Sequence, residues 1–241
     1  MKVAGFVELS LVDIINEPCF VIWLPYCNFA CPWCFNASVV KGKNLISLKE
    51  NDLKNLFKKV RDFVEFIHVS GGEPTINKDL PKILRIARNL GFKCSISTNG
   101  SMPNVLRDLI NEELLDHVAI DVKAPLDEKI YSKVIGKRGF VEKVKESVEI
   151  ATRNLNFVEI RTTYIPALLT KEDILKIAEF LKDTNAIYVI QQFIKNSLLD
   201  PNFNSRVPNC RELVEIAKKV AKLNQKVYVR CRELGVLRIS P

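Results

Sequence analysis

Short apolar runs alternate along the chain with segments of helical periodicity. The runs are rich in β-branched and aromatic residues and have the length of buried strands. They cover residues 19–24, 63–70, 92–97, 116–122, 157–165 and 186–193. Strands that alternate with helical segments predict an α/β fold with a parallel sheet and right-handed crossovers.

The segments between these runs carry signals for helix ends. Ser47, followed by Glu50 three residues later, predicts an N-cap with a capping box. Gly91 predicts the end of the helix that follows the second strand. Thr170 and Asp173 predict another N-cap.

The chain of 241 residues has an ordinary length for one α/β domain. We expect a single domain over residues 1–241, with a core at about 18–195 and a C-terminal helix with edge strands at about 206–241. The run at 225–239 accounts for one or two of those edge strands. No run reaches the 18 apolar residues of a membrane span, and Glu8 and Asp13 interrupt any signal-peptide core. These features predict a cytoplasmic protein.

The net charge of +8 is concentrated late in the chain. Residues 206–241 hold nine Lys or Arg against three Glu. This pattern is typical of a solvated helix face, and it also fits a docking surface for an acidic protein or for nucleic acid. The segment lacks interleaved aromatic residues, which disfavours nucleic acid.

Unusual polar clusters follow the predicted strands, each at the C-terminal end. The clusters are three cysteines after the first strand, SGGEPT (70–75), STNGS (97–101), DVKAP (121–125), Arg161 late in the fifth strand, and QQF (191–193). Ligands of parallel sheets and α/β barrels bind at the carboxyl edge of the strands. The sequence therefore predicts one binding site built from all six segments.

Three cysteines lie within eight positions, at Cys27, Cys31 and Cys34. A structural zinc site would need a fourth ligand, and the two histidines, His68 and His117, lie on predicted strands with no ligand spacing. A redox dithiol of Cys31 and Cys34 would leave Cys27 unexplained. A four-iron cluster held by three thiolates would leave one iron open to another ligand. We favour the cluster.

The four other cysteines show no spacing of this kind. Cys19, Cys94, Cys210 and Cys231 are expected to be small apolar residues, since free cysteine is among the most buried residue types. The odd total of seven also argues against a disulfide framework.

The pattern Cys27-x-x-x-Cys31-x-Trp33-Cys34 resembles that of the radical S-adenosylmethionine (radical SAM) enzymes. The resemblance implies a [4Fe-4S] cluster whose open iron binds the amino and carboxylate groups of S-adenosylmethionine. One electron from the cluster then cleaves this cofactor to methionine and a 5′-deoxyadenosyl radical. GGEP (71–74) matches the glycine-rich motif of the family, where backbone groups receive the methionine amino group.

Several residue types on the predicted edge suit the same cofactor. Asp121 and Lys123 share one strand face and could contact the ribose and the methionine carboxylate. Arg161 could supply a second carboxylate clamp, and Glu73 is expected to fix the GGEP loop. The resemblance places no catalytic side chain and implies cofactor contacts at Phe35, Asn36, Gly71, Gly72, Glu73, Ser97, Thr98, Asn99, Asp121, Lys123, Arg161 and Gln192.

Within the superfamily the chain is most similar to the glycyl-radical-enzyme activases. The segments at 6–36, STNGS, AIDVKAP, IRTTYIP and VIQQF resemble those of anaerobic ribonucleotide reductase activating proteins and of pyruvate formate-lyase activating enzyme. This resemblance implies a partial (β/α)6 barrel like that of triosephosphate isomerase. It also implies a flavodoxin or ferredoxin as electron donor, and a glycyl radical formed on a partner enzyme, either anaerobic ribonucleotide reductase or a formate-lyase-like protein.

Two positions depart from the activase pattern. Phe35 stands where many relatives have His, and Ser97 stands where the formate-lyase activase has an acidic residue that helps to bind a monovalent cation. The resemblance therefore does not carry that cation site onto this chain. The alternatives are a radical SAM enzyme for a small molecule, such as a pterin or deazapurine precursor, or for a tRNA base, and a non-catalytic zinc or iron–sulfur module.

Overall fold

The apolar β-branched runs form strands, and amphipathic segments connect them as helices. The structure is a computed structural model that describes residues 1–223 and 226–240. The strands are β1 (Lys2–Val3), β2 (Gly5–Ile14), β3 (Glu17–Leu24), β4 (Ile46–Ser47), β5 (Phe66–Gly71), β6 (Lys93–Thr98), β7 (His117–Asp121), β8 (Phe157–Tyr164), β9 (Ile187–Gln192), β10 (Val227–Cys231) and β11 (Gly235–Ile239). The helices are α1 (Ala37–Val40), α2 (Glu50–Lys59), α3 (Leu80–Asn89), α4 (Pro103–Asn111), α5 (Glu128–Ile135), α6 (Val141–Asn154), α7 (Lys171–Leu181) and α8 (Cys210–Val220), with a 3-10 turn at Pro74–Ile76.

Contacts divide the described chain into two compact units. The first contains Met1–Asn28, Asn36–Thr98 and Met102–Ala119, and the second contains Phe29–Phe35, Asn99–Ser101 and the chain from Ile120 onward. Strand β7 begins in the first unit and ends in the second. The single domain over 1–241 stays a prediction.

The first unit holds parallel strands with an antiparallel strand beside them. β5 pairs with β3 and with β6 in parallel, and β2 pairs with β3 in antiparallel orientation. The Phe57 ring of α2 packs against Phe20 of β3 and against Phe92, with ring centroids 5.4 and 6.1 Å apart. These three rings are buried, so helix α2 is fixed to the sheet by aromatic contacts.

The second unit repeats the parallel arrangement. β9 pairs with β8 and with β10 in parallel, and β10 and β11 form an antiparallel hairpin. Helix α8 buries Leu213 and Ile216 on its inner face. The predicted C-terminal helix and edge strands are therefore confirmed, except that residues 224, 225 and 241 of the predicted segments lie outside the described residues.

The predicted helix ends agree with the structure at two of three places. Gly91 follows α3 with φ +81°, and Thr170 accepts a hydrogen bond from the Asp173 amide at the start of α7. The N-cap at Ser47 was wrong, because Ser47 lies in β4 and α2 begins at Glu50. The carboxylate of Asp52 instead accepts the amide hydrogen of Lys49 at 2.8 Å. None of the helices in the described part of the chain is long and apolar enough to cross a membrane.

Candidate functional site

The segment that carries Cys31 and Cys34 is held by hydrogen bonds from both of its sides. The amide of Ala30 donates to the Ile135 carbonyl at 3.0 Å, and the Trp33 indole donates to the Val134 carbonyl at 2.9 Å. The amide of Cys34 donates to the carbonyl of Cys31 at 3.1 Å, so the two cysteines lie at the ends of one tight turn.

The other side of this segment contacts the loop after β9. The amides of Leu199 and Asp200 donate to the carbonyls of Cys34 and Pro32 at 2.8 and 3.0 Å. Cys31 is buried and Cys34 half-buried. Because backbone bonds from α5 and from residues 199–200 fix this turn, the positions of its two thiols are set by the protein itself.

Cys27 lies in the first unit, where the chain that precedes it contacts the GGEP motif. The amide of Gly72 donates to the Leu24 carbonyl at 3.0 Å, and that of Glu73 donates to the Tyr26 carbonyl at 2.8 Å. A Cβ atom at Gly72 would overlap the Tyr26 oxygen and lie 2.5 Å from its carbonyl carbon. At Gly71, where φ is +127°, a Cβ atom would lie 2.6 Å from the Leu24 nitrogen. Both glycines are thus required by the approach of two backbone segments, whereas their sequence pattern pointed to a ligand alone.

The Glu73 carboxylate is fully buried and ties two segments together. Its Oε1 accepts hydrogen bonds from the Thr75 amide at 3.0 Å, from the Thr75 hydroxyl at 2.5 Å and from the Thr98 hydroxyl at 2.7 Å. Glu73 therefore fixes the loop after β5 to the end of β6, as the sequence predicted. Thr98 uses its hydroxyl for this contact.

A buried chain of hydrogen bonds leads to Ser97. His68 Nδ1 lies 2.6 Å from Ser95 Oγ, which lies 2.7 Å from His117 Nδ1, and His68 Nε2 lies 2.9 Å from Ser97 Oγ. The Ser95 hydroxyl has one proton but contacts the Nδ1 atoms of both histidines. It can donate to only one of them, so the other ring must carry a proton on Nδ1 and donate to Ser95 Oγ. His68, which the sequence places on a predicted strand, is buried and contacts Ser97, a predicted site residue. The parallel register pairs His68 with Ser95, and Ser97 follows two residues later on the same face of β6.

Asp121 and Lys123 form an ion pair beside the cysteine segment in the second unit. Lys123 Nζ lies 3.2 Å from Asp121 Oδ2 and 5.1 Å from the centroid of the Trp33 ring. Burial lowers the pKa of the Lys123 ammonium, but the negative charge of Asp121 and the thiols of Cys31 and Cys34 outweigh it, and the pKa lies above its ordinary value. Lys123 is therefore a cation that contacts both the Asp121 carboxylate and the ring of Trp33.

Arg161 is buried and bound to a carboxylate of its own strand. Its Nε and NH2 groups lie 2.8 and 2.7 Å from Glu159 Oε2, and Arg230 of β10 approaches the same oxygen at 3.7 Å. Glu159 is fully buried, so the three side chains form an internal charged cluster with an excess of one positive charge. Such a cluster suits an anionic ligand group, although Arg161 already holds one carboxylate.

Gln192 lies on the strand face opposite to Arg161. In the register of β8 and β9, Arg161 pairs with Val189 and Thr163 with Gln191, so Gln191 shares the face of Arg161. The amide of Gln192 instead donates to the Pro208 carbonyl and accepts from the amide of Arg232, both at 2.8 Å. Of the two glutamines in the QQF segment, Gln191 shares the face of Arg161, and the cofactor contact of Gln192 stays a prediction.

Three further predicted contacts occupy separate settings. Phe35 is 54% exposed, and the half-buried Asn36 immediately precedes α1. Asn99 is buried, and its Oδ1 accepts a hydrogen bond from the Ser101 amide at 2.9 Å. The contacts of all three with a cofactor stay predictions.

The donors that the chain offers fit an iron–sulfur cluster of the expected type. Cys31 and Cys34 lie on a turn fixed by backbone hydrogen bonds, Cys27 adds a third thiol, and thiolate sulfur is the normal protein ligand of iron–sulfur clusters. The buried cation of Lys123 lies beside the same segment and offsets the negative charge that thiolates bring. The residues present therefore suit the group.

The four other cysteines divide into two kinds. Cys19 and Cys94 are fully buried, as predicted, and burial raises the pKa of the Cys94 thiol to about 12. The prediction for Cys210 and Cys231 was wrong, because these two form a disulfide with Cα atoms 5.8 Å apart. The start of helix α8 and the end of β10 come together 21 residues apart in the chain, which the spacing alone does not reveal.

Comparison with protein families gives a match to the Radical SAM superfamily over residues 21–183, more than half of the chain. Two Methanocaldococcus jannaschii proteins named "Putative glycyl-radical enzyme activating enzyme" are similar over most of their length. One is 36% identical over 95% of both chains, and the other is 28% identical over 90% of this chain and 82% of that protein. A "Probable GTP 3',8-cyclase" of Methanococcus vannielii is 28% identical over 86% of this chain and 66% of its own length.

Solved structures with low sequence identity share the fold. Streptococcus suis SuiB bound to its precursor peptide SuiA has a TM-score of 0.69 at 17% identity, over 89% of this chain and 48% of SuiB. TYW1 with a lysine-pyruvate adduct has a TM-score of 0.63 at 18% identity, over 95% of this chain and 82% of TYW1, and an archaeal TYW1 matches similarly. The chain thus spans about half the length of SuiB. The likeness confirms the predicted α/β class with the partial barrel of parallel strands.

Proposed function

Because the chain belongs to the radical SAM superfamily, we propose that it is an activase that forms a glycyl radical on a partner enzyme. Members of the superfamily use a [4Fe-4S] cluster and S-adenosylmethionine, and solved structures that share the fold were obtained with one or the other bound. Bound together, these groups supply the electron and the radical chemistry that removes a hydrogen atom from glycine.

The observation that carries the proposal is similarity over the full length of an activase-named relative. This chain and the first Methanocaldococcus jannaschii protein cover 95% of each other, whereas the cyclase named above shares 66% of its length with this chain. About a third of the cyclase therefore has no similar segment in this chain. This difference favours an activase over an enzyme of small molecules.

Residues of this chain would hold and orient the cofactors. Cys27, Cys31 and Cys34 would ligate the cluster, and backbone hydrogen bonds fix the turn that carries the last two. The backbone at Gly71 and Gly72 would receive the methionine amino group at a loop that Glu73 holds in place.

Charged residues of the second unit would bind the rest of S-adenosylmethionine. Lys123 would contact the methionine carboxylate, since the Asp121 carboxylate beside it raises the pKa of its ammonium above the ordinary value. Asp121 would accept from the ribose, and the Arg161 cluster would bind an anionic group. These side chains bind and orient, and none needs to exchange a proton during the reaction.

We propose anaerobic ribonucleotide reductase as the partner and a flavodoxin or ferredoxin as the electron donor. The test reconstitutes the protein with iron and sulfide without oxygen, reduces it, adds S-adenosylmethionine and the reductase, and records the EPR spectrum. We expect a glycyl doublet that collapses when the reductase is prepared with α-deuterated glycine. 5′-Deoxyadenosine is measured in the same samples.

Two cysteine variants make the experiment specific. Cys34→Ser should lose both the doublet and deoxyadenosine, while Cys94→Ser, which alters a buried cysteine outside the predicted ligand set, should keep both. Deoxyadenosine without a doublet on either type of glycyl enzyme would contradict the activase proposal. Conversion of GTP to a 3′,8-cyclised product under the same conditions would establish the alternative.

A further inference from the structure

The disulfide of the second unit lies in a polar cluster with Glu233 and Gln192. Its two cysteines are not among the predicted cluster ligands. Cys210 is the first residue of α8, and Cys231 is the last residue of β10. Glu233 Oε2 lies 2.7 Å from Cys210 Sγ and accepts a hydrogen bond from Gln192 Nε2 at 3.3 Å. We propose that Cys210 and Cys231 are a second redox site, a disulfide that opens and closes by exchange with an external dithiol.

The position of Glu233 fits the reduced form better than the oxidised form. A disulfide sulfur has no hydrogen to donate, so a carboxylate oxygen at 2.7 Å gains nothing from it and is repelled by its lone pairs. A Cys210 thiol at the same place donates a charge-assisted hydrogen bond to that oxygen. Glu233 therefore stabilises the dithiol relative to the disulfide, which is the reverse of what a purely structural cross-link requires.

The ends of the disulfide are unequal as leaving groups. Cys210 occupies the first turn of an 11-residue helix whose N-cap, Asn209, accepts a hydrogen bond from the Glu212 amide. The partial positive charge of a helix N-terminus stabilises a thiolate. The Glu233 carboxylate repels a bare Cys210 thiolate, but protonation of that thiolate turns the repulsion into a hydrogen bond, so we take Cys210 as the leaving group and Cys231 as the sulfur that is attacked.

The exchange balances without any further reagent. One thiolate of the dithiol attacks Cys231 Sγ, and the bond between the two protein sulfurs breaks. Cys210 leaves as a thiolate, takes up a proton and, as a thiol, donates a hydrogen bond to the Glu233 carboxylate. The second thiol of the reagent then attacks the mixed disulfide and releases Cys231, which also takes up a proton. The protein gains two electrons and two protons, and the dithiol becomes a disulfide.

The surroundings of Cys231 allow this attack. Both sulfur-bearing residues are buried, at 7% and 5% exposure, but the hairpin tip that follows Cys231, residues 232–235, is exposed. Gly235 pairs with Cys231 across the hairpin, and a side chain placed on Gly235 would meet no atom within 4 Å. Cys231 itself is buried, so the dithiol would reach its sulfur only when the exposed hairpin tip moves aside.

The opening of the disulfide would release one of the ties that hold this edge of the unit. Gln192 binds the Pro208 carbonyl ahead of α8 and the Arg232 amide at the hairpin tip, so β9, α8 and the hairpin meet at the two sulfurs. In the reduced protein the pairing of β9 with β10, the Gln192 hydrogen bonds and the packing of α8 would keep them together. The redox state would thus set how firmly the tip of the hairpin is held.

The test is differential alkylation of the folded, cluster-loaded protein across a series of reduced-to-oxidised dithiothreitol ratios without oxygen. Peptide mass spectrometry reports each cysteine separately. We expect Cys210 and Cys231 to become alkylated together with one midpoint, while Cys94 stays protected and reports that the protein remains folded. Cys210→Ser should leave Cys231 alkylated at every ratio.

Glu233→Gln tests the role of the carboxylate. Loss of the charge-assisted hydrogen bond should make the disulfide roughly tenfold harder to reduce. Glu215→Gln, which changes a carboxylate of helix α8 that is paired with Lys218, should leave the midpoint unchanged. The proposal is overturned by independent alkylation of the two cysteines, or by a disulfide that resists reduction until Cys94 also reacts. One zinc per chain that disappears in Cys210→Ser would equally overturn it, in favour of a metal site at Cys210, Cys231 and Glu233.

Discussion

Substitution of Gly72 by Ala tests whether the GGEP motif is required by the protein backbone. The new Cβ would overlap the carbonyl oxygen of Tyr26 and lie 3.2 Å from the amide nitrogen of Cys27. Relief of this overlap separates the two segments and breaks the bonds from the Gly72 and Glu73 amides to Leu24 and Tyr26. Two lost hydrogen bonds at about 1 kcal/mol each, with the desolvation of the carbonyls left behind, predict a loss of about 3 kcal/mol of unfolding free energy.

Gly139→Ala is the matched control. Gly139 has φ +81°, and a Cβ atom at this position would have no neighbour within 4 Å, so Ala there costs only the left-handed backbone, about 1 kcal/mol. Urea unfolding of the metal-free variants measures both losses, and iron per chain after reconstitution measures the displacement of Cys27. Equal losses in the two variants, or full iron content in Gly72→Ala, would refute the reasoning.

Two further substitutions test charged groups. Arg161→Met removes the closest cation of the buried Glu159 carboxylate and should lower the free energy of unfolding in urea by about 3–5 kcal/mol. Addition of Glu159→Gln should restore part of this loss, and a double variant without recovery would contradict the pairing. Burial raises the pKa of Asp173, but hydrogen bonds from Thr170 and Lys176 outweigh it and lower the pKa below the ordinary value. The ionised Asp173 carboxylate therefore stabilises the fold fully above pH 3.8, and this contribution is lost as the pH falls through the folded pKa. Asp173→Ala should lower the free energy of unfolding by about 1 kcal/mol at pH 7 and by less at pH 3, as measured by thermal unfolding. A loss independent of pH would exclude an ionic contribution.

The parallel strands could be predicted because their apolar runs are buried on both faces and need no tertiary information. Strand β2 was not predicted, because in this strand some apolar side chains are exposed and a polar side chain is buried. Leu11 and Val12 are 70% and 55% exposed, whereas Ser10 is buried. An antiparallel strand whose apolar side chains face solvent does not show the alternation by which half-buried strands are recognised.

The residues of the candidate site were predictable where their signal is local. The cysteine spacing and the GGEP motif are contiguous, so their positions could be stated before the fold was known. The choice between Gln191 and Gln192 depends on strand register, because a shift of one residue moves a side chain to the opposite face. The Cys210–Cys231 bond depends on how a helix and a strand pack, and no spacing rule encodes that contact.

The first cysteine and the glycine motif form one structural connection in the first unit. The carbonyls of Leu24 and Tyr26 bind the amides of Gly72 and Glu73, and the Glu73 carboxylate binds Thr98 at the end of β6. The segments after β3, β5 and β6 are therefore linked in series, although they lie far apart in sequence. A change at any of these residues displaces Cys27, since Tyr26 directly precedes it. The glycines and the buried glutamate of this motif thus position an expected cluster ligand as well as the backbone that would receive S-adenosylmethionine.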